Sequence, residues 1–148
     1  MSEHVAKVRW QRGDADFGYE TYPRDHEVEW GGGARTGASA APEYRGSGSL
    51  PNPEELLVGA LSSCHMLTFL AVCARKGVVV DRYEDDARGV LEKNEGGRLA
   101  VTRVTLRPRV TFAGEAPSPE AVARLHQQAH SGCFIASSVK TEVTIEPA

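Results

Sequence analysis

The chain has 148 residues, 41% of them apolar and 25% charged, with a formal charge of −3. That length is most simply one compact domain, residues 1–148, able to bury a core, and the composition is that of an ordinary globular protein. The mild negative charge, with no block of one sign, gives no support for partners such as nucleic acid or an anionic membrane.

The opening MSEHVAKVRW carries charges and already alternates, which does not fit a signal peptide. No apolar run reads as a membrane span, because the best one is interrupted by His65, Thr68 and Arg75. The expected location is the cytoplasm. There, three cysteines point to chemistry, metal binding or plain packing before structural disulfides.

In chain order, EHVAKVRW predicts a first strand through Val5, Val8 and Trp10. GDADFGYETYPRDHEVEW predicts a turn and then a strand pair carrying Tyr19, Thr21, Val28 and Trp30, interrupted at Pro23. The glycine-rich residues 31–53 read as loop with short extended pieces. A helix is predicted from Glu54 to Arg75 or Lys76, with Asn52 as N-cap, Pro53 in the first turn and Gly77 just past the end. Residues 78–94 and 97–114 read as two strands joined by a turn at Asn94–Gly97, with a bulge near Pro108. A second helix, capped by Ser118 with Pro119 behind it, ends near Gly132, and SSVKTEVTIEP predicts a last strand. No repeat or linker divides the chain. The class is α+β with largely antiparallel pairing.

Helical spacing in the first helix lines up Leu57, Ala60, Leu61, Cys64, Leu67, Thr68 and Ala71. Further apolar residues widen that surface, and a second subunit is the economical way to cover it. Cys64 reads as a small buried hydrophobe or as a pocket residue, since Ser62, Ser63 and His65 are polar neighbours. Cys133 follows Gly132, a turn position, and its own bland reading is packing; 69 residues separate the two cysteines. Cys73 reads as packing. His126, His130 and Cys133, joined by Cys64 or His65, have zinc-type donors, but Gly132 is expected to end the helix before Cys133, and no metal is assigned. His65 and His130 read instead as pocket lining or structural hydrogen-bonding groups.

The stretch NPEELLVGALSSC, followed at distance by HSGCFIASSV, resembles the OsmC/Ohr family of peroxidases. YPRDHEVEW, APEYRG and LHQQAHSGCFIASSVKTEVTI are similar to an OsmC-like peroxiredoxin subgroup within it, so the resemblance runs nearly the whole chain. It implies antiparallel sheets around long central helices, in an intertwined homodimer. It also implies a thiol peroxidase acting on organic hydroperoxides, with Cys64 as peroxidatic and Cys133 as resolving cysteine. No metal or organic cofactor is implied; an external dithiol, of lipoyl type, would restore the thiols. Glu54 matches the family's glutamate, which fixes an arginine that activates the thiolate. Arg24 is preferred for that arginine and Arg45 is the alternative.

Ten helical residues put Glu54 about 15 Å along the axis from Cys64. Either the helix breaks, or Glu54 serves the site through another element or the partner subunit. Two rivals to the peroxidase stay open: a non-enzymatic small-molecule or metal-binding member of the fold, and a redox sensor or thiol-modifying enzyme.

Overall fold

A computed structural model describes all 148 residues, which form two compact units, Met1–Leu56 and Leu57–Ala148. The first unit is built on an antiparallel sheet of β1 (Ala6–Arg9), β2 (His26–Trp30) and β3 (Arg35–Ala38), in that order. Val8 lies opposite Val28, and Val28 opposite Thr36. Around the same pairing Lys7 and Arg9 meet Glu29 at 3.0 and 2.6 Å, so the polar side of the alternation becomes a cross-strand charge ladder.

The strand expected around Tyr19 and Thr21 is absent. Gly18 accepts from the N–H groups of both Thr21 and Tyr22, and the Thr21 hydroxyl bonds Asp16, so local turns use the groups a ladder would need. Residues 31–53, read as loop, contain β3 and a single 3-10 turn at Pro42–Tyr44. Buried Ser39 donates to Asp25 at 2.7 Å and accepts from the Ser47 N–H at 3.0 Å. That pair of bonds ties the segment carrying Arg24 to the loop that follows β3.

α1 (Pro53–Arg75) is continuous, which removes the alternative in which it breaks between Glu54 and Cys64. Its start is a reciprocal capping box: Asn52 Oδ1 accepts from the Glu55 N–H at 2.9 Å, and Glu55 accepts from the Asn52 N–H at 3.1 Å. Glu54 is left free of the cap. At the other end Gly77 takes φ +69°, and the N–H of Val78 reaches the Cys73 carbonyl at 3.0 Å.

Two expectations about this helix are corrected. By length and composition it is apolar enough to cross a membrane, because three scattered polar residues do not outweigh so many apolar ones. In this structure it packs instead. The buried row is Leu61, His65, Phe69 and Cys73, a strict four-residue spacing, while Ala60, Leu67 and Ala71 of the expected core stripe are exposed.

The second unit continues with β4 (Val80–Asp85), β5 (Arg88–Lys93), β6 (Leu99–Leu106) and β7 (Pro108–Phe112). The two expected long strands are thus each broken in half. β4 pairs with β7 and β5 with β6, and the chain changes sheet at Asp86–Ala87 and at Arg107. Asp85 pins the break by accepting the Arg107 N–H at 2.6 Å, which withdraws that donor from any ladder. Pro108 begins β7, where its missing N–H costs nothing.

α2 (Pro119–Gly132) starts as expected, with the Ser118 hydroxyl accepting from the Ala121 N–H. α3 (Phe134–Ser138), absent from the sequence reading, follows with Cys133 as the single residue between the helices. β8 (Glu142–Ile145) then joins β6 in parallel, Val143 opposite Val104, an exception to the antiparallel expectation. One core cluster gathers Phe69, Cys73, Leu125 and Ala129; another gathers Leu61, Val104 and Leu106. The architecture is α+β, as expected.

Candidate active site

α1 carries Cys64, and the α2–α3 junction carries Cys133; the fold brings the two thiols close enough for each to shift the other's ionisation. Both are free thiols here, Cys133 only 1% exposed and Cys64 half-buried. Burial pushes the Cys64 thiol up. Against it act the donor groups around it, the backbone N–H of Ile135, the Cys133 thiol, the backbone N–H of Phe134 and Thr68, whose hydroxyl bonds the Cys64 carbonyl at 2.8 Å, and together they hold Cys64 below the ordinary thiol range.

The first N–H groups of any helix lack intrahelical partners, and in α3 two of them serve the Cys64 sulfur. Cys133 caps the same helix, its sulfur accepting from the Ala136 N–H at 3.5 Å. Its own thiol is pushed above the ordinary range by burial first, then by donating to Cys64 and by the charge on Cys64. One sulfur is therefore prepared to ionise and the other to keep its proton. The groups that lower Cys64 are neutral donors rather than the cation that sequence reasoning required. Backbone N–H groups have no sequence signature, so this arrangement was not legible; Thr68, one turn beyond Cys64, was the single visible hint.

Behind the thiols, His65 and His126 are 1% and 3% exposed and share an Nε2···Nδ1 hydrogen bond of 3.0 Å. Burial, then the nearby His126 and His130, pushes His65 down to about 4; burial also pushes His126 down to about 4, against a weaker upward pull from Asp85. Both rings are thus neutral at ordinary pH. His65 Nδ1, His126 Nε2 and His130 Nδ1 are each buried without a partner. No three His, Cys, Asp or Glu side chains are grouped to hold a metal ion, so the zinc-type arrangement weighed from sequence does not assemble. Cys73 is buried in the core, away from the thiol pair, and burial pushes it up.

In the first unit, Arg24 and Glu54 border a cavity of about 600 Å³ walled by Trp10, Phe17, Tyr22 and Tyr44. Trp10, Phe17 and Tyr22 form an aromatic cluster with centroids 5.6–6.4 Å apart. The Arg24 guanidinium lies 3.6 Å from the Tyr22 ring centre and donates to the carbonyls of Tyr22 and Tyr19, each at 2.5 Å. Its buried Nε has no partner. Glu54 and Arg24 border the same cavity without an ion pair between them. Arg45 lies outside the cavity lining, takes φ +65° and pairs with Glu20.

Residues 46–148 match the OsmC-like protein family. An OsmC-like protein of unknown function from Vibrio cholerae is 44% identical, with 100% of both chains covered and a TM-score of 0.96. The Bacillus subtilis protein YmaD, described as uncharacterised, is 27% identical over 114 residues, 75% of each chain. An organic hydroperoxide resistance protein from Elizabethkingia anophelis shares the fold at 15% identity, with a TM-score of 0.74 over 99% of this chain and 94% of that one. The fold implied by the sequence motifs is the fold found.

Proposed function

The chain belongs to the OsmC-like protein family, and from that premise we propose that it is a cysteine-dependent peroxidase reducing organic hydroperoxides. The observation that carries this reading is the neighbouring Cys64–Cys133 pair, with Cys64 held below and Cys133 above the ordinary thiol range. A protein of this fold named for organic hydroperoxide resistance supports it.

The Cys64 thiolate attacks the distal oxygen of the hydroperoxide. The O–O bond breaks, the alkoxide takes a proton and leaves as the alcohol, and Cys64 becomes a sulfenic acid. The Cys133 sulfur then attacks the Cys64 sulfur. The S–O bond breaks, an S–S bond forms, and hydroxide leaves with the Cys133 proton as water. Two electrons have passed from the thiols to the peroxide. An external dithiol, of lipoyl type, returns two electrons and two protons by thiol–disulfide exchange and is itself left as a disulfide.

Arg24 and Glu54 fit this scheme in a homodimer whose sites are shared. α1 is unbroken between Glu54 and Cys64, a rise of about 15 Å, so Glu54 serves through another element or through the partner subunit, and the intertwined homodimer implied by the family resemblance favours the partner. The apolar stripe Ala60, Leu67 and Ala71 on α1, with Phe134 at 82% exposure, supplies a surface for a second copy.

Reduced protein mixed with an alkyl hydroperoxide should lose two thiols per chain within seconds. Mass spectrometry should find a Cys64–Cys133 disulfide, and Cys64→Ser should abolish it. Slow oxidation, or a disulfide through Cys73, overturns the proposal; unreactive thiols with a retained ligand or metal would favour the non-enzymatic reading.

A further inference from the structure

The seam between α1 and α2 holds a polar contact that the peroxidase chemistry does not use. Cys64, His65, Thr68 and Phe69 occupy neighbouring positions on α1. Cys64 meets Cys133 and His65 meets His126, the two imidazoles lying 9° from parallel with centroids 5.3 Å apart. Phe69 also stacks on His126, centroid to centroid 4.2 Å. A Cβ at Gly132 would come within 3.1 Å of the Thr68 methyl, so the helices are tightly packed beside the thiols.

His126 and Cys133 are seven residues apart, two helical turns on one face. Cys133 is tied to the last turn of α2 by its N–H to the His130 carbonyl, at 3.2 Å. A shift of α2 along α1 therefore moves His126 and Cys133 together. Apolar side chains in this seam would tolerate such a slide. A buried imidazole pair does not, because the bond between His65 Nε2 and His126 Nδ1 is directional and, with His65 Nδ1 and His126 Nε2 already buried without partners, its loss would leave both rings wholly unsatisfied.

We propose that His65 and His126 are positioning residues: their mutual hydrogen bond fixes the register of α2 on α1 and thereby the approach of Cys133 to Cys64. This rests on the thiol pair acting as a redox couple, and it goes beyond that reading by assigning the control of disulfide formation to a histidine lock. His130 on α2, Asp85 on β4 and Phe69 on α1 neighbour the pair, and Tyr83 on β4 lies behind Phe69. Asp85 is itself held by the Ser62 hydroxyl and the Arg107 N–H.

The test needs no peroxide, so its failure is separable from a failure of peroxidase activity. The intact protein is equilibrated with mixtures of reduced and oxidised dithiothreitol, and the fraction of Cys64–Cys133 disulfide is read. His126→Leu removes the bond and should shift that equilibrium about tenfold or more. The alkylation rate of Cys64, which reports its ionisation rather than its distance from Cys133, should change less than about threefold. His126→Asn keeps a polar atom near the Nδ1 position and should stay within about threefold of wild type in both readouts. His126→Gln carries its amide one bond further and should behave like His126→Leu, which keeps the test decisive should the leucine variant fail to fold. Equal equilibria for wild type, Asn and Gln overturn the proposal. So does a parallel loss of Cys64 alkylation, which would mean general disruption rather than lost register.

Discussion

Cys64 and Cys133 are the same chemical group in contact, yet their surroundings push them apart. Burial raises both, but donor groups around Cys64 outweigh it there, while Cys133 keeps its proton toward Cys64 and faces the charge it helps to stabilise. Ionising both would place two negative sulfurs side by side, so the pair holds one proton over a wide pH range. The sign of the mutual effect is testable. Removing the Cys133 thiol deletes a donor to the Cys64 thiolate, so Cys133→Ala should move the midpoint of Cys64 alkylation upward in pH. Thr68→Val, which deletes a weaker contribution, should move it less in the same direction. A downward movement in Cys133→Ala would show that burial by Cys133, not its hydrogen bond, governs Cys64.

The contact between α1 and α2 is where composition and chemistry collide, since the helices meet through two neutral imidazoles in an apolar seam. Both titrate near 4 in the folded protein against 6.5 when free, so between those values the unfolded chain binds more protons. Stability is therefore full above about pH 6.5 and falls as the pH drops toward 4. Urea midpoints measured across that window should fall in wild type and fall less in His65→Gln/His126→Asn; equal slopes would rule the pair out as the cause. Little of this seam was legible beforehand. The ends of α1 and α2 were, because Asn52, Pro53, Gly77, Ser118 and Pro119 act on their immediate neighbours. The buried face of α1 was displaced from the expected stripe because an apolar surface nearly all round leaves the choice of face to its neighbours. The split of the long strands depends on Asp85 reaching Arg107, 22 residues away, and the histidine pair on residues 61 apart. Contacts of that range leave no periodic trace. The thiol pair was legible only as two motifs, and their meeting came from the fold.

At the scale of the whole molecule, the proposed shared site makes a prediction that a single-chain site cannot mimic. Cys64→Ser and Arg24→Met should each be inactive as homodimers. Refolded together in equal amounts, they should recover about a quarter of wild-type activity, because half the dimers then hold one complete site of two. No recovery, with mixed dimers shown to form, would place Arg24 and Cys64 of one chain in the same site. Arg45→Met should leave activity near wild type, since Arg45 is paired with Glu20 outside the cavity. The parallel docking of β8 on β6 has a bearing on how the protein is made. Between those strands the chain must lay down β7, α2 and α3, and contacts of such long range form late in folding. A chain leaving the ribosome exposes Cys64 well before Cys133 exists, and α3 brings its N–H groups to the sulfur only once that long crossover has closed. Until then Cys64 lacks the donors that lower it, and the other cysteine already made is Cys73, nine residues along the same helix.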